Sequence, residues 1–296
     1  MDLQGSVLAV ILCLLFGSNA LAIKISLIGI PPAAAAAIRF VIAMVIIYFY
    51  ARYKKVDLAI EAKNYLHVVF LGIFFGAQFT IFYIGVNYTT VSHASILMNI
   101  QPFFVAIFAH FLLAGDRLNA RKIGGIALAF IGVVVLFYQR DPEAYSKYLF
   151  GDFLVLISAF LWSVQTIYIK RWLNDWNNYQ LVLHPILIGI LVLTLSHLIF
   201  ERNTVLFLKR DVIISILYQS VLVVGIGYLA WTTLLLKYKA TQLSTFIFIM
   251  PISGVILGIV FMDDPVTFRL IGGLIFIVLG ILVVNIKPKE HFLVRE

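Results

Sequence analysis

Long apolar runs, most of them near twenty residues, recur along the whole chain with short polar joints between them. A helix rises about 1.5 Å per residue, so roughly 20 apolar residues cross a hydrocarbon layer about 30 Å thick. Ten runs approach that length: Gly5–Ile25, Ala33–Tyr53, Tyr65–Gly85, His93–Leu113, Ile123–Tyr138, Phe153–Trp172, Gln180–Phe200, Val212–Leu235, Gln242–Met262 and Phe268–Ile286. None alternates apolar and polar in the manner of an outer-membrane strand, and a helix satisfies its own backbone groups inside lipid. The pattern predicts an all-α integral membrane protein with ten transmembrane helices. The first run ends near Ser18-Asn19-Ala20-Leu21-Ala22, which resembles the cleavage site of a secretory signal. The residues before it include Asp2 and no Lys or Arg, whereas such signals begin basic, so the run is read as a retained span.

Composition agrees with a lipid solvent. Hydrophobic residues make up 62% of the 296 positions and charged residues 12%, about half the share of a soluble domain. Basic residues are held preferentially on the cytoplasmic side. With both termini placed there, the joints and tail on that side hold fourteen Lys and Arg, against six opposite: Arg140, Lys147, Arg202, Lys209, Arg210 and Arg269. Lys24 and Arg39 lie near or within spans. The expected location is a cell membrane, the cytoplasmic or inner one, with both termini cytoplasmic. The net charge of +8 is scattered over loops, so it does not call for nucleic acid. The single cysteine, Cys13, lies in the first span and is read as a small buried apolar residue; neither a disulfide framework nor a Cys-based metal cluster is available.

An internal repeat organises the chain. HASILMNIQPFFVAIFAHFLLAGDRLNARKIGGIALAFIGVVVLF aligns with QLSTFIFIMPISGVILGIVFMDDPVTFRLIGGLIFIVLGILVVNI, with one residue of slippage. The alignment pairs Pro102 with Pro251, Asp116 with Asp264, Arg121 with Arg269, Gly124-Gly125 with Gly272-Gly273 and Gly132 with Gly280. A weaker echo joins Phe16-Gly17 and Ile23-Lys24 to Trp162-Ser163 and Ile169-Lys170. The chain thus divides into two five-helix repeats, residues 1–140 and 141–296. Five is odd, so the second repeat is inverted in the membrane and the halves are related by a pseudo-twofold axis in its plane. Inverted repeats give a central cavity two near-equivalent ways to open, the symmetry of an alternating-access transporter.

Ten spans in two halves, each closing on a Pro-containing helix, an acidic residue and a Gly-rich last helix, resemble the drug/metabolite transporter superfamily, in particular its EamA-type members. The resemblance covers nearly the whole chain and rests on Pro102 and Pro251, on FLLAGDRLNARKIGGIALAFIG and on IVFMDDPVTFRLIGGLIFIVLG; Arg39 early in the second span also fits. The family usually carries Glu where this chain has Asp116 and Asp264, a shorter acid that keeps the charge. The resemblance implies ten helices around a cavity lined mostly by spans one, three, four, six, eight and nine. It leaves the substrate open, since members export amino acids, other metabolites or toxic compounds, and relatives carry sugar phosphates or nucleotide sugars.

Polar groups are costly in lipid and face the protein interior. The substrate-binding candidates are therefore Asn19, Gln78, Tyr83, Asn99, Gln165 and Tyr228, together with Trp162 and Trp231, tryptophans set well inside their spans and away from the headgroup belt. Gln101, Thr232 and Thr233 are further polar positions. Each polar residue serves equally well as an interhelical hydrogen-bond partner, and packing is the plainer role for each tryptophan. Pro102 and Pro251 are hinge candidates, because a proline clashes with the carbonyl four residues back, here Met98 and Ile247, and should bend or loosen the span.

All fourteen Asp and Glu fall in tails, loops or span ends, which argues against a carboxylate-driven, cation-selective antiporter. His93, His184 and His197 are read as satisfied structural histidines. Lys24 and Lys170 are expected to reach the headgroups, or else to attract a carboxylate at the cavity mouths; Arg39 is read as an interhelical donor. A sugar-phosphate carrier would hold more cations inside the membrane. Spacings of small residues, Gly72-xxx-Gly76 and Gly254-xxx-Gly258, predict close helix contacts.

No protease, hydrolase or phosphate-loop motif is present and no lobe could hold a cofactor, so neither an enzyme nor a cofactor is expected. The expected protein is a monomeric secondary transporter whose partners are the lipid bilayer and a small-molecule substrate. It most plainly exports amino acids or similar small metabolites; multidrug or toxic-compound efflux and phosphorylated-sugar exchange are the alternatives.

Overall fold

The computed structural model describes residues 2–113, 118–138, 142–173, 175–202, 204, 206–238, 243 and 246–285, without the side chains of 142–147, 232, 235 and 236. The repeat boundary at 140/141, Asp116, the side chain of Thr232 and several of the counted charges (Arg117, Arg140, Lys147, Lys239, Lys287, Lys289, Arg295) lie outside these described residues. Among the described residues the regular structure is helical, with no strand. Nine helices there are long and apolar enough to span a membrane, and a tenth is shorter. They are α1 Leu3–Ser26, α2 Pro32–Tyr53, α3 Tyr65–Tyr88, α4 Val91–Leu112, α5 Ala120–Phe137, α6 Tyr148–Trp172, α7 Asn178–Phe200, α8 Arg210–Trp231, α9 Ile249–Met262 and α10 Phe268–Asn285. An even number of crossings brings the start of α1 and the end of α10 to one end of the bundle, here the terminal end; the other is the distal end.

The helix starts carry their own caps. Asp2 accepts from Gly5 N–H at 2.7 Å, Thr90 from His93 N–H at 3.1 Å and Asn119 from Lys122 N–H at 2.9 Å. α7 opens on a full capping box, Asn177 and Gln180 each receiving the other's backbone N–H. The segment Asp263-Asp264-Pro265 closes α9: Asp263 takes the left-handed conformation at φ 52°, which ends the helix. Asp264 then turns to accept from Ser92 N–H at 2.7 Å, capping α4. Lys24 does not run to the headgroups as expected. Its Nζ donates to the carbonyls of Val86, Asn87 and Thr89 at 2.9, 2.9 and 2.7 Å, so it caps the C-terminal end of α3, where a cation suits the helix dipole.

Glycines set the contacts between helices. A Cβ on Gly125 would lie 2.9 Å from Gly280 O, and one on Gly280 would lie 2.6 Å from Gly125 O; Gly132 and Gly273 face each other in the same way, at 2.8 and 3.0 Å. In the repeat alignment Gly125 corresponds to Gly273 and Gly132 to Gly280. The crosswise pairing is therefore what a twofold axis between α5 and α10 produces. Their neighbours Gly124 and Gly272 take no part: nothing would meet a Cβ on Gly124, and only Val135 would meet one on Gly272 at 3.4 Å. Gly72 and Gly76 seat α3 against Ile188 and Val192 of α7, and Gly254 and Gly258 seat α9 against Ser95 and Ser92 of α4.

The fourth span is interrupted outright, and the ninth starts its described helix just before its proline. α4 consists of Val91–Met98 and Gln101–Leu112, with a turn at Asn99 and Ile100, so Pro102 falls in the first turn of a new helix, where its missing N–H costs nothing. A break replaces the expected bend because ending the helix removes the clash with Met98. Pro251 likewise lies in the first turn of α9, which begins at Ile249 after a turn at Ile247 and Phe248; Gln242 lies outside the described residues. Within α8 the chain is wound as a π-helix through Tyr218–Gly227, ten residues where a single turn is usual.

Candidate functional site

Two observations mark a loosely packed space between helices. In α6, Gly151, Val155 and Ser158 precede Trp162 by 11, 7 and 4 residues and so share its face. All three are buried, while Phe153 and Phe160 on the opposite face are exposed. Trp162 is nevertheless 43% exposed, so the packed face of α6 opens at that ring. In α4, every residue from Val91 to Leu97 is buried, whereas in the segment after the break only Phe103 and Ala109 are. The packing of α4 loosens at Asn99 and stays loose toward the terminal end.

The polar residues around this space form two groups. Tyr83 is fully buried, and its hydroxyl accepts from Arg39 Nη1 at 3.1 Å and donates to Gln219 Oε1 at 2.7 Å. Gln219 Nε2 donates to Ala22 O at 2.9 Å, so one polar chain ties α2, α3, α8 and α1. The Arg39 guanidinium lies 5.2 Å from the Phe40 ring and 5.9 Å from the Phe79 ring, and Phe79 is 6.5 Å from Trp162. Gln78 is buried and donates to Ser158 Oγ at 2.9 Å, one turn before Trp162; its Oε1 has no partner among the described residues. Gln165 is buried on α6. Gln101 Nε2 reaches Thr166 Oγ1 at 3.4 Å, and Ser163 Oγ donates to Gln101 O at 3.1 Å, which joins α4 to α6. Asn99 turns back on its own helix, Nδ2 donating to Ser95 O at 2.7 Å.

The second group belongs to α1 and α8. Trp231 meets Phe16 edge-on at 6.0 Å beside the apolar cluster of Ala9, Leu12, Leu234 and Leu243. Asn19 has a buried Oδ1 without a partner among the described residues, and Tyr228 is 37% exposed. Gln78, Tyr83 and Trp162 thus come together, and Trp231 lies elsewhere.

Sequence reading passed over Gln219, whose signal, an amide inside an apolar span, was the same as that of Gln78. It also passed over the pair made by Asp152, fully buried, and His93, whose Nδ1 lies 2.8 Å from Asp152 Oδ2; Thr89 Oγ1 donates to the other carboxylate oxygen. His184 and His197 are satisfied as expected, by Leu58 O and Glu201. Among the described residues no cluster of His, Cys, Asp and Glu could hold a metal ion.

The model of the EamA-like transporter family matches this chain twice, over residues 3–138 and 149–286. An Escherichia coli (strain K12) protein described as a "Probable amino-acid metabolite efflux pump" is 28% identical over 291 residues, 95% of this chain and 94% of its own. An "Uncharacterized transporter" of Archaeoglobus fulgidus is 26% identical over 296 residues, 98% of this chain and all of its own. One crystal structure shares the fold at a TM-score of 0.68 and 19% identity, covering 95% of this chain and 98% of the other.

Proposed function

The chain belongs to the EamA-like transporter family, and from that premise we propose that it exports amino acids or similar small metabolites by alternating access. The observation that carries the mechanism is the change in α4, fully packed before the break at Asn99 and loosely packed after it. A discontinuous helix lets one half move while the other stays seated, and α9 has its proline in its own first turn as well. Pro102 and Pro251 act as paired hinges, and the two repeats, residues 1–140 and 141–296, rock against each other in a monomer with both termini in the cytoplasm.

Gln78, Gln165 and Trp162 form one wall of the cargo site with Tyr83 packed behind it, while Asn19, Asn99, Tyr228 and Trp231 meet the cargo on its way through. The names of the Escherichia coli and Salmonella typhimurium relatives, both described as amino-acid metabolite efflux pumps, support this substrate class and direction. Uncharged amides beside aromatic rings suit a small, partly apolar molecule. The test is efflux from liposomes holding the purified protein and loaded with the twenty amino acids together, followed by mass spectrometry. A subset should leave faster than from protein-free vesicles; equal retention of all twenty would refute the proposal.

A further inference from the structure

We propose that Arg39 is the anchor for a carboxylate on the cargo, an inference that rests on the transport reading above. A guanidinium carries five N–H donors and keeps its charge under all ordinary conditions. Arg39 is 4% exposed, eight residues into α2, and an isolated cation at such a place is expensive. Tyr83 is its one hydrogen-bond partner among the described residues, and it is neutral. Every other link of that chain is complete: the Tyr83 hydroxyl gives its hydrogen to Gln219, and Gln219 gives its amide to Ala22 O. Arg39 Nε, by contrast, is buried without a partner, and no ion pair among the described residues includes Arg39.

The surroundings supply a route to that unspent donor set. Trp162 is half exposed beside the loosely packed half of α4, Phe79 is half-buried behind it, and Arg39 sits over the Phe79 ring. A molecule with an apolar side chain and a carboxylate can lay the first along the rings and offer the second to the planar fork, which matches two carboxylate oxygens. The aromatic faces hold the cation meanwhile without neutralising it. One guanidinium balances one monoanion, so a carboxylate fits better than a doubly charged phosphate.

The experiment compares, in the same liposomes, efflux of the twenty amino acids with efflux of the corresponding carboxamides, which keep the side chain and lose the negative charge. The wild-type protein should prefer the acids by about 10- to 100-fold, the range a charge-assisted hydrogen bond provides. Arg39→Gln, checked for a monodisperse folded peak, should bring acids and amides to near parity, and Arg39→Lys, which keeps charge but not the fork, should fall between. A folded Arg39→Gln that retains the wild-type preference overturns the proposal, because a merely structural guanidinium would leave selectivity untouched. Where Arg39→Gln does not fold, the wild-type comparison decides: a preference for acids supports the anchor and parity overturns it. Parity with both classes moving leaves transport standing and removes Arg39; failure to move any acid removes both.

Discussion

The two halves of α4 occupy one span and live in different surroundings. Before the break all of Val91–Leu97 is buried, held by Asp264 at its N-terminal N–H, by the Asp152–His93 pair and by Gly254 and Gly258 of α9; in the helical segment after it only Phe103 and Ala109 are. The same contrast separates the ends of the bundle. Distal ties are polar and wholly or partly buried, apart from one exposed bond: Lys24 on the end of α3, Thr89 and His93 on Asp152, and Glu201 accepting from Ala33 and Ala34 N–H at 2.9 and 3.3 Å. Terminal ties lie largely on the surface: Asp2 with Tyr238 and Lys237, Asn177 with Asp57 O, Gln180 with Ala59 O. Buried polar contacts are costly to open singly, whereas water replaces exposed ones readily. The distal end is therefore the more firmly tied of the two in this structure.

The largest expected effect tests that ranking directly. Asp152→Ala strands His93 and Thr89 in a buried site and should destabilise the protein by about 1–3 kcal/mol for each hydrogen bond left unmade. Lys237→Ala at the terminal end should leave the thermal midpoint in detergent unchanged, so equal losses would break the comparison. Next comes packing within and around α4. Gly254→Ala puts a Cβ 2.2 Å from Ser95 Oγ and should cost about 1–3 kcal/mol, while Val105→Ala beyond the break should cost under about 1 kcal/mol; denaturant midpoints measure both.

The smallest effect is a pH dependence at the terminal end. The hydrogen bond from Tyr238, aided by Gly5 N–H, holds the Asp2 carboxyl at about 2, below its ordinary 3.8. A lowered value means that the contribution is complete above pH 3.8 and is lost as pH falls toward 2. Asp2 is exposed, so solvent keeps the effect small. Between pH 5 and 2.5 the wild-type midpoint should drop slightly more than that of Asp2→Asn.

What the chain declares locally was legible. Run length placed the spans, glycine spacing marked Gly72, Gly76, Gly254 and Gly258 as points of close contact, and Pro102 marked where α4 changes course, because apolarity, missing side chains and a missing N–H act where they stand. Which polar group meets which was not, since that depends on how each helix is turned about its axis by neighbours far away in sequence. Tyr83 finds Gln219 136 residues on, and His93 finds Asp152 59 residues on. Asp152 read as a span-end acid, and only the close seating of α6 on α3, through Gly151 and Gly85, explains why it is wholly buried. Lys24 read as a headgroup cation for the same reason: the open carbonyls of α3 that it caps lie more than sixty residues away.

The central claim, that the two ends open in turn, is tested most directly by pulsed electron-spin distances across the halves. One spin pair at Asn87 and Val266 spans the distal end, and another at Lys54 and Lys237 spans the terminal end, all on exposed positions. As amino acid is added to protein in nanodiscs, the distal distance should lengthen in the same subpopulation in which the terminal distance shortens. Distances that stay fixed, or that lengthen together, would contradict alternating access.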